Sequence, residues 1–257
     1  MPNEAEAPVS SQATPAARPG AGVARVLGAA VALVLVTVPF ALMLELVEDS
    51  WPPLLRADRG VRDSLNGYAV AHPGFVEVTQ FISDAGSAPV WTGVLAVVVG
   101  WLCWRRLPRL ALFVVVTAVG SAMLNAAVKS GVHRLRPVLA HPVAQEQGLS
   151  FPSGHAQAAM VGYALLLIIF VPMLHGAWRW IAVGGAAAAV LSIGVSRLAL
   201  GVHYASDVAG GFALGAAWVT VMAVVFTVLT VDGRGRVRAT NRRPAADSQL
   251  PGGQAGR

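Results

Sequence analysis

The sequence predicts an all-α membrane protein: a six-transmembrane-helix bundle with an amphipathic interfacial segment between spans 1 and 2. Three observations carry this expectation. Only 12% of the 257 residues are charged and 55% are hydrophobic, about half the charge of a soluble domain, where ~25% is usual. Mean hydropathy is +0.61. Six apolar stretches, each near the ~20 residues that cross ~30 Å of hydrocarbon, alternate with short polar segments. Helices follow because a backbone in lipid must satisfy its own N–H and C=O groups.

Residues 1–22 are rich in Pro, Ala, Ser and Gly without apolar periodicity, which predicts a disordered N-terminal tail. The membrane domain then covers 23–231. Its first span, 23–46, is too long for a signal-peptide core, and no small-residue cleavage pattern precedes Glu48 and Asp49, so it reads as a retained helix. The loop 47–84 mixes charges with Trp51, Leu54, Leu55, Leu65, Tyr68 and Phe75, a composition suited to a helix on the membrane surface. The remaining spans are expected at about 85–104, 110–128, 156–175, 179–200 and 207–231. Trp91, Trp101, Trp104, Trp178 and Trp180 fall near span ends and read as an interfacial belt. Gly211 and Gly215 form a small-xxx-small pair for close helix contact. Residues 232–257 read as a disordered basic C-terminal tail.

Charge placement gives an orientation. With the N-terminus inside, Arg18, Arg25, Arg105, Arg106, Arg109, Arg179 and the C-terminal arginines are cytoplasmic, and Arg56, Arg59, Arg62, Lys129, Arg134, Arg136 and Arg197 are outside. The inside set is larger, so both termini are expected in the cytoplasm. The net charge of +6 does not indicate nucleic-acid binding, because the basic segments lack interleaved aromatics for stacking on bases. The single cysteine, Cys103, excludes an internal disulfide and a paired-cysteine metal site.

Three blocks put polar groups beside apolar spans, where they are costly. Lys129 and Arg136-Pro137 leave span three, Pro152-Ser153-Gly154-His155 precedes span four, and Ser196-Arg197, His203 and Asp207 bridge spans five and six. Antiparallel spans bring all three to one side of the membrane, the extracytoplasmic one in this orientation. Lys129 is the sole lysine among nineteen Lys+Arg; with Arg136 and Arg197 it offers one compact charge and two planar forks, a set suited to a phosphate dianion. Ser153 and Gly154 read as a helix start, whose N–H groups favour an anion. His203 and Asp207, at i and i+4, are expected on one helical face with the carboxylate accepting from Nδ1. Each element alone also has a plain reading as a snorkelling charge, a cap or a polar turn.

Together the pattern K-x6-R-P, P-S-G-H and S-R-x5-H-x3-D resembles the phosphatidic acid phosphatase type 2 and vanadium-dependent haloperoxidase superfamily. The motifs lie within 129–207, and the span pattern extends the likeness to about 23–231. The resemblance implies that Lys129, Arg136 and Arg197 bind phosphoryl oxygens with Ser153 and Gly154 as further donors. It implies that His203 is a nucleophile forming a phosphohistidine, that Asp207 orients it, and that His155 protonates the leaving alkoxide and then activates water. The role of Ser196 stays open, and His72, His133, His141 and His175 match no catalytic position. The implied substrate is a lipid phosphate or a prenyl or lipid pyrophosphate, with no metal or other cofactor; the sequence leaves the oligomeric state open. A lipid phosphotransferase using the same intermediate and a non-catalytic anionic-lipid binder or transporter are the alternatives, and a haloperoxidase fits a lipid-embedded bundle less well.

Overall fold

The computed structural model describes residues 20–139 and 142–240. All its regular elements are helical. They are α1 (Gly20–Glu48), α2 (Pro52–Ala71), α3 (Pro73–Ala85), α4 (Ala88–Trp104), α5 (Pro108–Val132), α6 (Gly154–Phe170, prolonged by a 3-10 turn to Met173), α7 (Ala177–Ala199) and α8 (Ala205–Thr240). Proline opens α2, α3, α4 and α5 within their first two positions, where a missing N–H costs nothing.

Five segments are long and apolar enough to cross a membrane: Leu27–Glu48, Pro108–Val132, Gly154–Met173, Ala177–Ala199 and Ala205–Thr227. α4 alone has only 17 residues; α3 and α4, which meet at a 42° bend, are together long and apolar enough for a sixth crossing or a re-entrant pair. The sequence predicts a span over about 85–104, and α4 fills 88–104 of it; Gly86-Ser87 separates it from α3, and Pro89, lacking an N–H, sits at the start of the new helix. The protein is therefore multi-pass.

The loop 47–84 holds helices, α2 and α3, with the amphipathic character expected there; the face that α2 buries carries Asp58, Asn66 and Ala69, a largely polar set. Trp91 is no belt residue. It is 6% exposed and stacks edge-on against Tyr163 at 4.8 Å, in space that exists because residue 162 is glycine. Trp104, Trp178 and Trp180 are exposed, as a belt requires. The predicted disordered tails fall mostly outside the described residues, as does His141. Over residues 232–240, however, α8 continues as helix, since no proline between Ala205 and Thr240 stops its propagation.

The bundle is organised around α6 and α8, which share its most extensive helix contact. Gly211 and Gly215 make that approach possible: a Cβ on Gly211 would strike the Ser153 carbonyl, and one on Gly215 would lie 3.1 Å from the Gln157 carbonyl. The small-xxx-small pair thus presses α8 against the first turns of α6. α1 lies along α8, α4 along α5, and α3 along α7. The outward row Leu27, Val31, Val34, Leu35, Val38 and Leu42 on α1 is exposed, the surface a helix offers to lipid.

Candidate active site

The three polar blocks meet at one end of the bundle. Lys129 sits in the last turn of α5, and His133 ends that helix in a left-handed conformation, φ 52°. The chain then runs extended through Arg134 and Arg136. Its partner is the approach to α6: the Ser150 N–H donates to the Arg134 carbonyl at 2.8 Å, and Ser150 Oγ donates to the Leu135 carbonyl at 3.1 Å. Ser153 caps α6, its Oγ accepting from the Ala156 N–H at 3.5 Å. Arg197, 2% exposed, lies in the last turn of α7. A tight turn with Gly201 at φ 71° then delivers His203 to the site.

His203 and Asp207 do not share a helical face, contrary to the sequence expectation. α8 begins only at Ala205, so His203 belongs to the preceding turn. Asp207 lies in the first turn of α8 and folds back: its Oδ2 accepts the Tyr204 N–H at 2.9 Å, an acidic return contact that closes the helix start. The same oxygen lies 3.4 Å from His203 Nδ1, a contact too long for a strong hydrogen bond. Both side chains are sealed from solvent, at 1% and 0% exposure.

The other face of the imidazole fixes its state. Arg136 Nη1 stands 3.1 Å from His203 Nε2 and donates to the Val202 carbonyl at 3.0 Å. A guanidinium has only protons to give, so Nε2 presents its lone pair and the ring proton resides on Nδ1, toward Asp207; the tautomer is inferred from this network. Burial lowers the His203 pKa; Asp207 opposes that effect, and Arg136 and Arg197 add to it. Burial thus favours the uncharged ring, with the Nε2 lone pair facing Arg136.

Arg136 and Arg197 converge on one carboxylate that sequence reasoning did not single out. Glu146 Oε2 lies 3.0 Å from Arg136 Nη1, and Oε1 accepts from Arg197 Nη2. Burial alone would raise the Glu146 pKa, but Arg197 and then Arg136 outweigh it and hold the group below the ordinary carboxylate value. Arg197 Nη1 also donates to Ser83 Oγ at the end of α3. Arg136 Nε and Arg197 Nε are buried and have no hydrogen-bond partner among the described residues. Lys129 Nζ donates to the Leu149 carbonyl at 3.1 Å, leaving two further protons on the ammonium. Of the Ser153 donors, the backbone N–H is committed to the Asp207 carbonyl at 2.9 Å; the hydroxyl proton is the one retained.

His155, in the first turn of α6, is half-buried and makes no protein hydrogen bond among the described residues. Its charged neighbours are Arg197, Glu146, His203 and Arg136. It also closes the end of a groove of about 640 Å³ between α4, α5 and α6, walled by apolar side chains such as Leu95, Val115, Ala118 and Val119. Gly154 and Asn125 line the same end. Asn125 Nδ2 donates to Gln157 Oε1 at 2.6 Å, and Gln157 Nε2 donates to Ser121 Oγ at 2.8 Å, so the buried amide of α6 is satisfied.

Comparison with known proteins identifies this multi-pass helical bundle as a membrane phosphatase. The family model described as the PAP2 superfamily matches residues 109–230, and the chain belongs to that superfamily. It is 30% identical over 149 residues to "Phosphatidylglycerophosphatase B" of Bacillus subtilis, covering 57% of this chain and 72% of that one. It is 33% identical over 204 residues to "Decaprenylphosphoryl-5-phosphoribose phosphatase" of Mycobacterium tuberculosis, covering 73% and 98%, and 31% identical over 151 residues to "Undecaprenyl-diphosphatase" of Sulfolobus acidocaldarius, covering 56% and 66%. The fold matches the crystal structure of a transmembrane PAP2 type phosphatidylglycerolphosphate phosphatase from Bacillus subtilis with a TM-score of 0.68 at 23% identity, over 75% of this chain and 94% of that one.

Proposed function

We propose that the protein hydrolyses a lipid phosphate or a prenyl or lipid pyrophosphate through a phosphohistidine on His203, without a metal, at the extracytoplasmic face. The observation that carries this reading is the placement of His203: buried, with Nε2 beside Arg136 and Nδ1 toward Asp207. Nε2 attacks phosphorus while the bond to the ester or bridging oxygen breaks, and His155 gives that oxygen its proton. Asp207 stabilises the positive charge left on the ring. Water then loses a proton to His155, its oxygen attacks phosphorus, and the P–N electrons return to Nε2. Arg136, Arg197 and Lys129 stabilise the charge that gathers on the phosphoryl oxygens, the part of the barrier where preorganised donors contribute most.

Support for a lipid substrate comes from the groove at His155, an apolar volume that accepts a hydrocarbon chain with the phosphate lying among the cations. The named relatives act on a lipid phosphate and on prenyl phosphates or diphosphates, which agrees with this. The orientation follows from the larger arginine set on the cytoplasmic side. The test is phosphate release from a panel of lipid and prenyl phosphates by detergent-purified protein in the presence of chelator. Wild type is expected to be active and His203→Ala inert. An active His203→Ala enzyme would remove the mechanism.

A further inference from the structure

Arg134 was placed by its sequence position only among the outer cations, yet it is almost wholly enclosed, with 11% of its side chain exposed. Its guanidinium is used as a two-sided fork. Nη1 donates to Asp207 Oδ1 at 2.6 Å and to Ser206 Oγ at 2.6 Å. Nη2 donates to Asp58 Oδ2 at 2.8 Å. Its flat face lies 4.4 Å from the centre of the Tyr204 ring. Asp58 comes from α2, is 1% exposed, and accepts from Ser206 as well: Oδ1 from the backbone N–H at 2.9 Å and Oδ2 from the hydroxyl at 2.5 Å. Burying a carboxylate is costly unless it is paired and hydrogen-bonded. The arrangement therefore spends a buried charge on holding one arginine and the first turn of α8.

We propose that Arg134, held in place by Asp58, is a positioning residue for the reaction, clamping Asp207 and so setting how firmly that carboxylate holds the charge that appears on His203. The proposal rests on His203 being the nucleophile. Asp207 divides its oxygens, Oδ1 to Arg134 and Oδ2 to the Tyr204 N–H and the imidazole. Arg134 fixes the carboxylate plane and draws negative charge away from the ring. Asp58 moderates that pull by sharing the guanidinium. Outer partners of the carboxylate–histidine pairs at metal sites typically change activity about 10–100-fold, and the same scale is expected for this pair.

The charged and titratable groups that act on His203 are Asp207 on α8, Arg197 on α7, His155 on α6 and Arg136 on the segment joining α5 to α6; Lys129 on α5 acts on Asp207, and Glu146 on Arg136 and Arg197. Arg134 and Asp58 lie behind Asp207, so their effect on the ring passes through that carboxylate. The signs follow. Attack needs a neutral Nε2, so activity falls on the acid side as His203 takes up a proton. Arg134→Gln leaves Asp207 free to favour the imidazolium, which moves the acid limb of kcat/KM to higher pH. Asp58→Asn releases Arg134 to bear more fully on Asp207, which moves the same limb to lower pH.

The experiment is the pH profile of kcat/KM, with kcat and KM separately, for wild type, Arg134→Gln, Asp58→Asn and the double variant on one lipid phosphate. The two single variants are expected to lose about 10–100-fold in kcat, with KM changed less than about threefold, and their acid limbs are expected to shift in opposite directions. In the double variant Asp58→Asn should add no shift beyond that of Arg134→Gln. Should Arg134→Gln not yield folded protein, Arg134→Lys keeps the charge but not the fork, and its kcat should fall about tenfold with the acid limb unmoved. Lower thermal stability with wild-type kcat and an unmoved limb would show the network to be structural only and overturn the proposal. An active His203→Ala would instead fault the underlying mechanism.

Discussion

Glu146 lies 3.0 Å from Arg136 through Oε2 while Oε1 engages Arg197, so one carboxylate occupies the two forks that the mechanism assigns to phosphate. A phosphoryl group must compete with it for the same donors. Glu146→Gln should therefore lower the inhibition constant of inorganic phosphate about three- to tenfold, because a neutral amide is a poorer partner for two guanidinium groups. Steady-state inhibition at constant ionic strength checks this, and an unchanged constant would show that Glu146 and the anion do not compete.

The same residue gives a pH dependence of stability. Its pKa is held below 4.5, so its favourable pairing is complete above the ordinary carboxylate range and is lost as pH falls through the lower folded value. Thermal unfolding in detergent should show wild type more stable than Glu146→Gln at pH 7, with the difference shrinking below about pH 4.5. A difference that grows on acidification would contradict the assignment.

His155 is assigned to the leaving oxygen, so its importance should track how badly that oxygen needs a proton. His155→Ala should cost about 10²–10⁴-fold in kcat on an alkyl phosphate. On an aryl ester with an acidic phenol as leaving group the cost should be far smaller, since that anion departs unaided. Equal losses on both substrates would place His155 in binding instead.

The groove predicts a dependence on chain length. Each methylene buried along Leu95, Val115, Ala118 and Val119 is worth ~0.8 kcal/mol, so KM should fall several-fold per added carbon until the groove is filled and then level off. Ala118→Phe, which fills the groove, should flatten that dependence. A wild-type KM indifferent to chain length would separate the groove from substrate binding.

The site was legible in the sequence where chemistry is local. Lys129, Arg136, Ser153, Gly154, His155, Arg197, His203 and Asp207 sit in short blocks next to apolar spans, and alternating span direction is enough to gather them. What it hid depends on contacts between distant segments. Asp58 meets Ser206 across 148 positions of chain, and nothing in the α2 sequence marks one aspartate among its exposed charges as buried. Glu146 lies in an irregular segment without periodicity. The His203–Asp207 spacing suggested a helix face, whereas a turn ending at Tyr204 provides the pairing, because the same carboxylate also closes the start of α8. Trp91 was misplaced for a comparable reason: only its partner on α6, glycine at 162, makes room for an indole in the core.

Close packing at the α6–α8 contact should couple stability to activity. A methyl group at Gly211 would meet the Ser153 carbonyl and the Ala156 side chain, displacing the turn that leads to His155. Gly211→Ala should destabilise by roughly 1–3 kcal/mol and lower kcat with it, measured by thermal unfolding and phosphate release on the same preparation. Wild-type values for both would mean that α8 does not press on that turn.

The most direct test of the account is to catch the covalent intermediate. In His155→Ala, an aryl phosphate substrate can still transfer its phosphoryl group, while activation of water is impaired, so the phosphoenzyme should accumulate after rapid mixing. Peptide mass spectrometry under alkaline conditions, which preserve a P–N bond, should place the phosphoryl group on His203. Label on any other residue, or turnover in this variant with none on His203, would contradict the account.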